Sequence, residues 1–393
     1  MTNRWILIVS LFFIFAHFFL AILIPSFIAP ESFPYHDELV KSGLPQYIYS
    51  FANFDGAQYL KIAQSGYLPL TQAFFPLYPI AIRMVSIVTS IPHLLSGLLI
   101  SILSFIGVCI LLNKYLQNRA FTQKEIKWFF FFFLAFPTSF FLVSLYTESI
   151  FFLLFVGSLV SLQYKKLVIA GICGLAIGLT RVTGIFLIIP MFAQLLQMHL
   201  GQTNTLSPVQ GLLEVLKKRK NIMVLAAPLV GIGFYSIFLK LTTGDYFAFF
   251  SLQKVSNATR STDLVLLPQV LYRYIKIFLT ATPNFQYFVA AVEFITLIFV
   301  GALIFYDLLK IITNSKKKQF SLIGLHVYSI SVLILPTLTG TLSSLPRYAL
   351  PLLSTYLILA KVKSTHVKIV IVSIFLILHL ILFSFFIQGY FVS

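Results

Sequence analysis

Three observations predict an all-α, polytopic membrane protein. Of the 393 residues, 59% are hydrophobic and only 10% charged, with 43 Phe among them; a soluble domain carries about 25% charged residues. Long apolar runs recur from end to end, and ~20 such residues cross a bilayer as one helix. No stretch alternates polar and apolar with a period of two, as a membrane β-barrel would.

The formal charge of +17 sits in short clusters between apolar runs. That is the positive-inside pattern, so nucleic acid is not an expected partner. Cys109 and Cys173 fall inside apolar helices and read as small core residues. The apolar run 5–28 exceeds a signal-peptide core, so a retained anchor is expected. The seven histidines show no metal-ligand spacing, and Walker and Rossmann glycine patterns are absent. No cofactor or metal site is called for, and dependence on a divalent metal stays open.

Taken in order, Arg4 before the first run favours a cytoplasmic N-terminus. Residues 29–91 then form an outer segment, with Glu31, Asp37, Glu38 and Asp55 against Lys41 and Lys61. Pro30, Pro34, Gly43 and Pro45 break its first half. From Phe54 to Gln64 there is no proline, and Leu60, Ile62 and Ala63 suit a short helix. Residues 74–91 are apolar but interrupted by Pro76, Pro79 and Arg83. Were they to cross, Lys114, Arg119, Lys124 and Lys127 would lie outside. A juxtamembrane or re-entrant helix is therefore expected.

Crossings follow at about 92–112, 128–144, 148–164, 167–182, 184–200, 221–241, 285–309, 320–340, 346–361 and 367–388. With the first they make about eleven, in a single domain over 1–393 whose second outer loop is 243–280. The inner clusters are Lys165 and Lys166, the run 217–220, Lys310 with 316–318, and Lys361, Lys363 and Lys368. Most of the basic residues then share one side.

The outer connections collect the unusual polar residues. Asp55 stands beside Gly56, which allows close approach of backbone or ligand; it reads as a helix cap or as a catalytic carboxylate. Glu148 lies where a span re-enters the bilayer, either capping that helix or binding. Arg181 and Arg347 have the planar fork suited to phosphate, and pairing with Glu148 or Asp245 is the alternative. Glu293 is a carboxylate within a span, functional by default unless a neighbouring helix bonds it.

The run Phe54-Asp55-Gly56-Ala-Gln58-Tyr59-Leu-Lys-Ile62-Ala63-Gln-Ser-Gly66-Tyr67, followed by Phe74-Phe75-Pro76-Leu77-Tyr78-Pro79, resembles the signature of the GPI mannosyltransferase 2 family and its prokaryotic relatives. Their aromatic before the aspartate is usually Trp, where this chain has Phe54. Weaker echoes are Leu145-Tyr146-Thr147-Glu148-Ser149, Thr180-Arg181-Val182-Thr183-Gly184, Gly244-Asp245 with Gln253, and Leu345-Pro346-Arg347-Tyr348. The resemblance implies a membrane glycosyltransferase of GT-C type, whose first outer loop contains juxtamembrane helices.

Such an enzyme moves a sugar, typically mannose, from a polyprenyl-phosphate carrier to an acceptor hydroxyl, inverting the anomeric centre. The family's aspartate matches Asp55, implied as general base. Gly56, Gln58, Tyr59, Tyr67, Tyr78, Glu148, Arg181, Asp245, Gln253, Arg347 and Tyr348 are the implied substrate-binding positions. The implied partners are the lipid-borne donor, a glycan or glycolipid acceptor, and membrane lipid. The compact outer loop suits a prokaryotic plasma membrane with the site facing outside, or a lumenal site if eukaryotic. A lipid or solute transporter is the competing expectation. It accounts for many spans and for Glu293, but no paired broken helices or inverted repeat appear.

Overall fold

A computed structural model describes residues 3–202, 208–251, 261, 264–313 and 319–392. Among these residues the regular elements are all helical. Seven segments are long and apolar enough to cross a membrane: Asn3–Ser26, His93–Asn118, Val182–Leu200, Arg219–Thr243, Phe285–Thr313, Phe320–Thr337 and Thr365–Ile387. The protein is a helical, multi-pass membrane protein.

Four of the eleven expected crossings are shorter or broken. The one placed at 128–144 is the helix Gln123–Ala135, followed by a 3-10 turn Ser139–Leu142. Pro137 is the cause, because the residue before a proline is driven out of the α region; Phe136 has φ −54° and ψ 138°. The crossing placed at 346–361 is divided at Pro351 into Leu345–Ala349 and Leu353–Ala360. Glu148–Gln163 and Leu167–Gly178 are apolar helices of 16 and 12 residues. At 1.5 Å per residue, each is shorter than the ~30 Å of hydrocarbon.

The chain divides into two compact units, Met1–Leu153 with Leu359–Ser393, and Leu154–Ile358. In the first, Asn3–Leu23 packs on His93–Asn118, and Thr365–Ile387 packs on Gln123–Ala135. Thr122 and Glu125 start Gln123–Ala135 with a reciprocal capping box, which satisfies two otherwise orphaned donors. The apolar packing has a polar exception. His17 and His379, each 3% exposed, bring their Nε2 atoms to 2.8 Å, and His379 Nδ1 lies 3.1 Å from Ser139 Oγ. Mutual bonding removes the cost of burying these rings in an apolar setting.

Between the first two long helices run His36–Val40, Gln46–Tyr49, the turn Ser50–Ala52, Asp55–Ser65 and Leu77–Thr89. Leu77–Thr89, with 13 residues, is only ~20 Å long. It buries Tyr78, Pro79 and Ile82 and exposes Ile80, Met84, Ile87 and Val88. Arg83 donates to the carbonyl of Gln64 at 3.2 Å, which ties this helix to Asp55–Ser65.

In the second unit, Leu167–Gly178 and Arg219–Thr243 meet at backbone distance. A Cβ on Gly178 would strike the Pro228 carbonyl, and one on Gly231 the Leu175 carbonyl. Small residues at a helix interface allow this closeness in membranes. Elsewhere His326 Nε2 lies 2.8 Å from Asp307 Oδ2, and its Nδ1 lies 2.9 Å from Ser354 Oγ. Ser329 Oγ is 3.1 Å from the same hydroxyl. His326, Ser329 and Ser354 are fully buried. The network satisfies polar groups inside an apolar bundle.

Candidate active site

Asp55 is the first residue of the helix Asp55–Ser65, where the helix dipole favours a carboxylate. The residue before it is strained. Phe54 has φ 58° and ψ −113°, positive φ being rare for a bulky L-residue and costing on the order of 1–3 kcal/mol. Surrounding contacts enforce that turn. The Tyr146 hydroxyl donates to the Asn53 carbonyl at 2.8 Å, and the Leu145 N–H donates to the Phe51 carbonyl at 2.9 Å. Asn53 Nδ2 donates to the carbonyls of Phe386 at 2.8 Å and Ile387 at 3.4 Å. The Phe54 ring meets Phe33 at 4.5 Å and Phe391 at 5.5 Å. Asp55 itself is half-buried, so its carboxylate starts a helix on a turn fixed from three sides.

Gly56 is closely packed. A Cβ there would lie 3.1 Å from the Leu145 carbonyl oxygen and 3.3 Å from Ala52 Cβ. Gln58, half-buried, is three residues beyond Asp55 and so shares its side of the helix. Tyr59 is buried and packs edge-on to Tyr78 with ring centroids 5.3 Å apart. Tyr67 donates to the Phe74 carbonyl at 2.7 Å, closing the loop between the two signature halves. Tyr78 donates to the Gly97 carbonyl at 3.0 Å and lies 2.7 Å from Ser101 Oγ. Burial pushes the Tyr78 phenol above its ordinary range, and the Glu148 charge adds to this. Glu148 opens its helix at 2% exposure.

Asp55, Gly56, Gln58, Tyr59, Tyr67, Tyr78 and Glu148 all belong to the first unit. Arg181, Asp245, Arg347 and Tyr348 belong to the second. There, the Arg181 guanidinium lies over the Tyr348 ring at 4.8 Å, a cation–π geometry. Arg347 is 9% exposed. Asp245 is exposed, and its carboxylate accepts from the Phe247 N–H and the Ser251 hydroxyl, both at 2.8 Å. Those two bonds hold the carboxyl below its ordinary value, the behaviour of a turn-closing cap. Gln253 lies outside the described residues.

Glu293, 5% exposed, is engaged within its own unit. Tyr274 donates to its Oε2 at 2.6 Å and the Ser344 N–H donates to its Oε1 at 3.2 Å. The Tyr274 oxygen also accepts the Leu342 N–H at 3.0 Å. Burial first, then the Glu293 carboxylate, raise the Tyr274 phenol above its ordinary range. The carboxylate thereby fixes the turn that leads into Arg347 and Tyr348.

Sequence reasoning missed Asn53 and Tyr146 as parts of the Asp55 turn, and Gln388, whose Oε1 accepts from Gln46 Nε2 at 3.3 Å. Ser50 Oγ, Asn53 Oδ1 and Gln388 Nε2 are buried without a hydrogen-bond partner among the described residues, and unsatisfied groups of this kind call for an explanation. One signal was present: Asn53 is a lone amide in the aromatic run Phe51–Phe54. Tyr146 and Gln388 had none, because their partners lie 93 and 342 residues away. The chain matches no known family model, no curated protein and no solved structure.

Proposed function

We propose that the protein is a membrane glycosyltransferase that moves a sugar, mannose, from a polyprenyl-phosphate carrier to an acceptor hydroxyl on the extracytoplasmic face. The observation that carries this reading is the Asp55 turn: a carboxylate at a helix start, after the strained Phe54, in a multi-pass membrane protein. Strain of this sort persists where the surroundings over-determine it, as functional sites do. The signature resemblance supplies the reaction class. In the topology proposed with it, the segments 128–144, 148–164, 167–182 and 346–361 cross beside the seven long helices, eleven in all. Asp55 then lies outside.

The step needs one base. The acceptor oxygen attacks the anomeric carbon from the face opposite the phosphate, and its proton passes to the Asp55 carboxylate. The bond from that carbon to the phosphate oxygen breaks, and polyprenyl phosphate departs with the electron pair. A positioned base contributes ~10²–10⁴-fold to such a reaction. Phosphate leaves without a strong acid, so a second carboxylate is not required. In the second unit, Arg181 and Arg347 have the forked geometry that suits an anionic head group.

The test uses the full chain in proteoliposomes with radiolabelled polyprenyl-phosphate-mannose and a lipid extract as acceptor. Label moving into a new lipid or glycan product is expected. Gradient-driven solute uptake without any transfer would instead establish the transporter reading.

A further inference from the structure

One end of the first unit gathers positive charge that glycosyl transfer does not use. Arg119 follows the C-terminus of His93–Asn118, its guanidinium 4.7 Å from the Tyr115 ring. Its Nε is buried with no hydrogen-bond partner among the described residues. Lys361 Nζ lies 4.6 Å from the Phe121 ring centroid, and Lys368 Nζ lies 5.4 Å from that of Trp128. These contacts bring the N-terminus of Thr365–Ile387 beside that of Gln123–Ala135, and each carries about half a positive charge. Lys124 acts electrostatically on Lys368, and Lys361 and Lys368 act on Glu125.

Glu125 is the only acid in residues 113–127 and 359–370. Its carboxylate is occupied by the Thr122 N–H and hydroxyl, both at 2.8 Å. Arg119 and Lys361 each follow a helix C-terminus and can be read as compensating it, but Lys124 and Lys363 are exposed and do not directly follow a helix end. Two helix N-termini and two helix C-termini meet at this end and offset one another, so it is the surplus of cations over one acid that complements an anion.

What covers it follows from the helix below. Along Thr365–Ile387, Val367, Val370, Ile374 and Ile377 are exposed at 46%, 56%, 51% and 57%, on one stripe of a broader apolar face that includes Ile369 and Leu376, exposed at 50% and 46%. An apolar stripe descending from a cationic end matches a molecule with an anionic head and a hydrocarbon tail. We infer that this end of the first unit binds an anionic phospholipid, its phosphate held by Arg119, Lys124 and Lys361 and an acyl chain lying along the stripe. Inorganic phosphate shares the head-group charge but has nothing to place on the stripe.

The full chain, purified in a mild detergent, is mixed with phosphatidylglycerol or phosphatidylcholine and examined by native mass spectrometry. Phosphatidylglycerol adducts are expected to survive and phosphatidylcholine adducts to dissociate. The Lys124→Gln/Lys361→Gln variant should bind phosphatidylglycerol at least about fivefold more weakly, since a basic residue near an anionic surface contributes about that much. Lys41→Gln, a charge loss elsewhere, should bind as wild type. Lys361 lies against Phe121 and beside Glu125, so the double variant should lose a little stability, while the exposed Lys124 changed alone should leave the unfolding midpoint unchanged. The single Lys124→Gln variant gives a second reading, intermediate in affinity. Equal retention of both lipids, wild-type binding by the double variant, or displacement by inorganic phosphate would overturn the assignment.

Discussion

The Tyr146 hydroxyl donates to the Asn53 carbonyl at 2.8 Å, joining residues 93 positions apart. Both residues are almost fully buried, at 2% and 1% exposure. The bond fixes the turn from which Asp55 projects. Tyr146→Phe removes the donor and leaves that carbonyl only the long bond from the Gly56 N–H, at 3.4 Å. Loss of a typical hydrogen bond costs about 0.5–1.5 kcal/mol. A lower unfolding midpoint is expected, with a reduced transfer rate in the protein that remains folded. An unchanged midpoint and rate would show that this bond does not hold the turn.

Gly56→Ala tests the same turn from its other side. The added methyl meets the Leu145 carbonyl oxygen at 3.1 Å, and overpacking of this kind costs about 1–3 kcal/mol. Because residue 56 adjoins Asp55, the shift displaces the carboxylate. Initial rates should fall by more than the loss of folded protein explains, as quantified by circular dichroism on the same samples. Wild-type kinetics would mean that the neighbours give way freely.

Glu293 separates the two functional readings. Its carboxylate receives bonds from Tyr274 and the Ser344 N–H, so Glu293→Ala strips both donors of their acceptor. A stability loss of about 1–3 kcal/mol for each is expected, measured by denaturant unfolding in micelles. The transporter reading expects something else, a proton- or ion-coupled uptake that Glu293→Gln abolishes. Uptake assays on wild-type proteoliposomes should find none.

Acid sensitivity is expected at the Thr122–Glu125 cap. Burial opposes ionisation of Glu125. The bonds from Thr122, with the charges of Lys361 and Lys368, nonetheless hold its carboxyl below the ordinary 4.5. A depressed acid contributes stability that is complete above its ordinary value and is lost as pH falls through the folded one. The stability difference between wild type and Glu125→Gln should therefore be constant near neutrality and shrink below about pH 4.5. Unfolding curves from pH 7 to pH 3 measure it. A gap that widens on acidification would reverse the sign.

The membrane class was legible because it depends only on composition and run length. The short helix at Asp55 and the incomplete helix after Pro76 were legible too, since glycine and proline act locally. Pro137 and Pro351 carried the same kind of signal, yet 128–144 and 346–361 read as continuous spans. Apolarity dominated that reading, although proline breaks a helix regardless of the hydropathy around it. The clamp on Asp55 was invisible for a different reason. Asn53, Tyr146 and Phe386 meet through tertiary contact, and no spacing in the sequence encodes it. Glu293 was legible as a buried carboxylate, but its partners Tyr274 and Ser344 were not.

In the proposed reaction Asp55 takes the proton of the acceptor hydroxyl. The direct measurement is the initial rate of mannose transfer from radiolabelled polyprenyl-phosphate-mannose by wild type and by Asp55→Asn, at equal amounts of folded protein. Asparagine keeps the shape and cannot accept the proton, so the rate should fall by ~10²–10⁴-fold with the unfolding midpoint little changed. Transfer by Asp55→Asn at the wild-type rate would contradict the account.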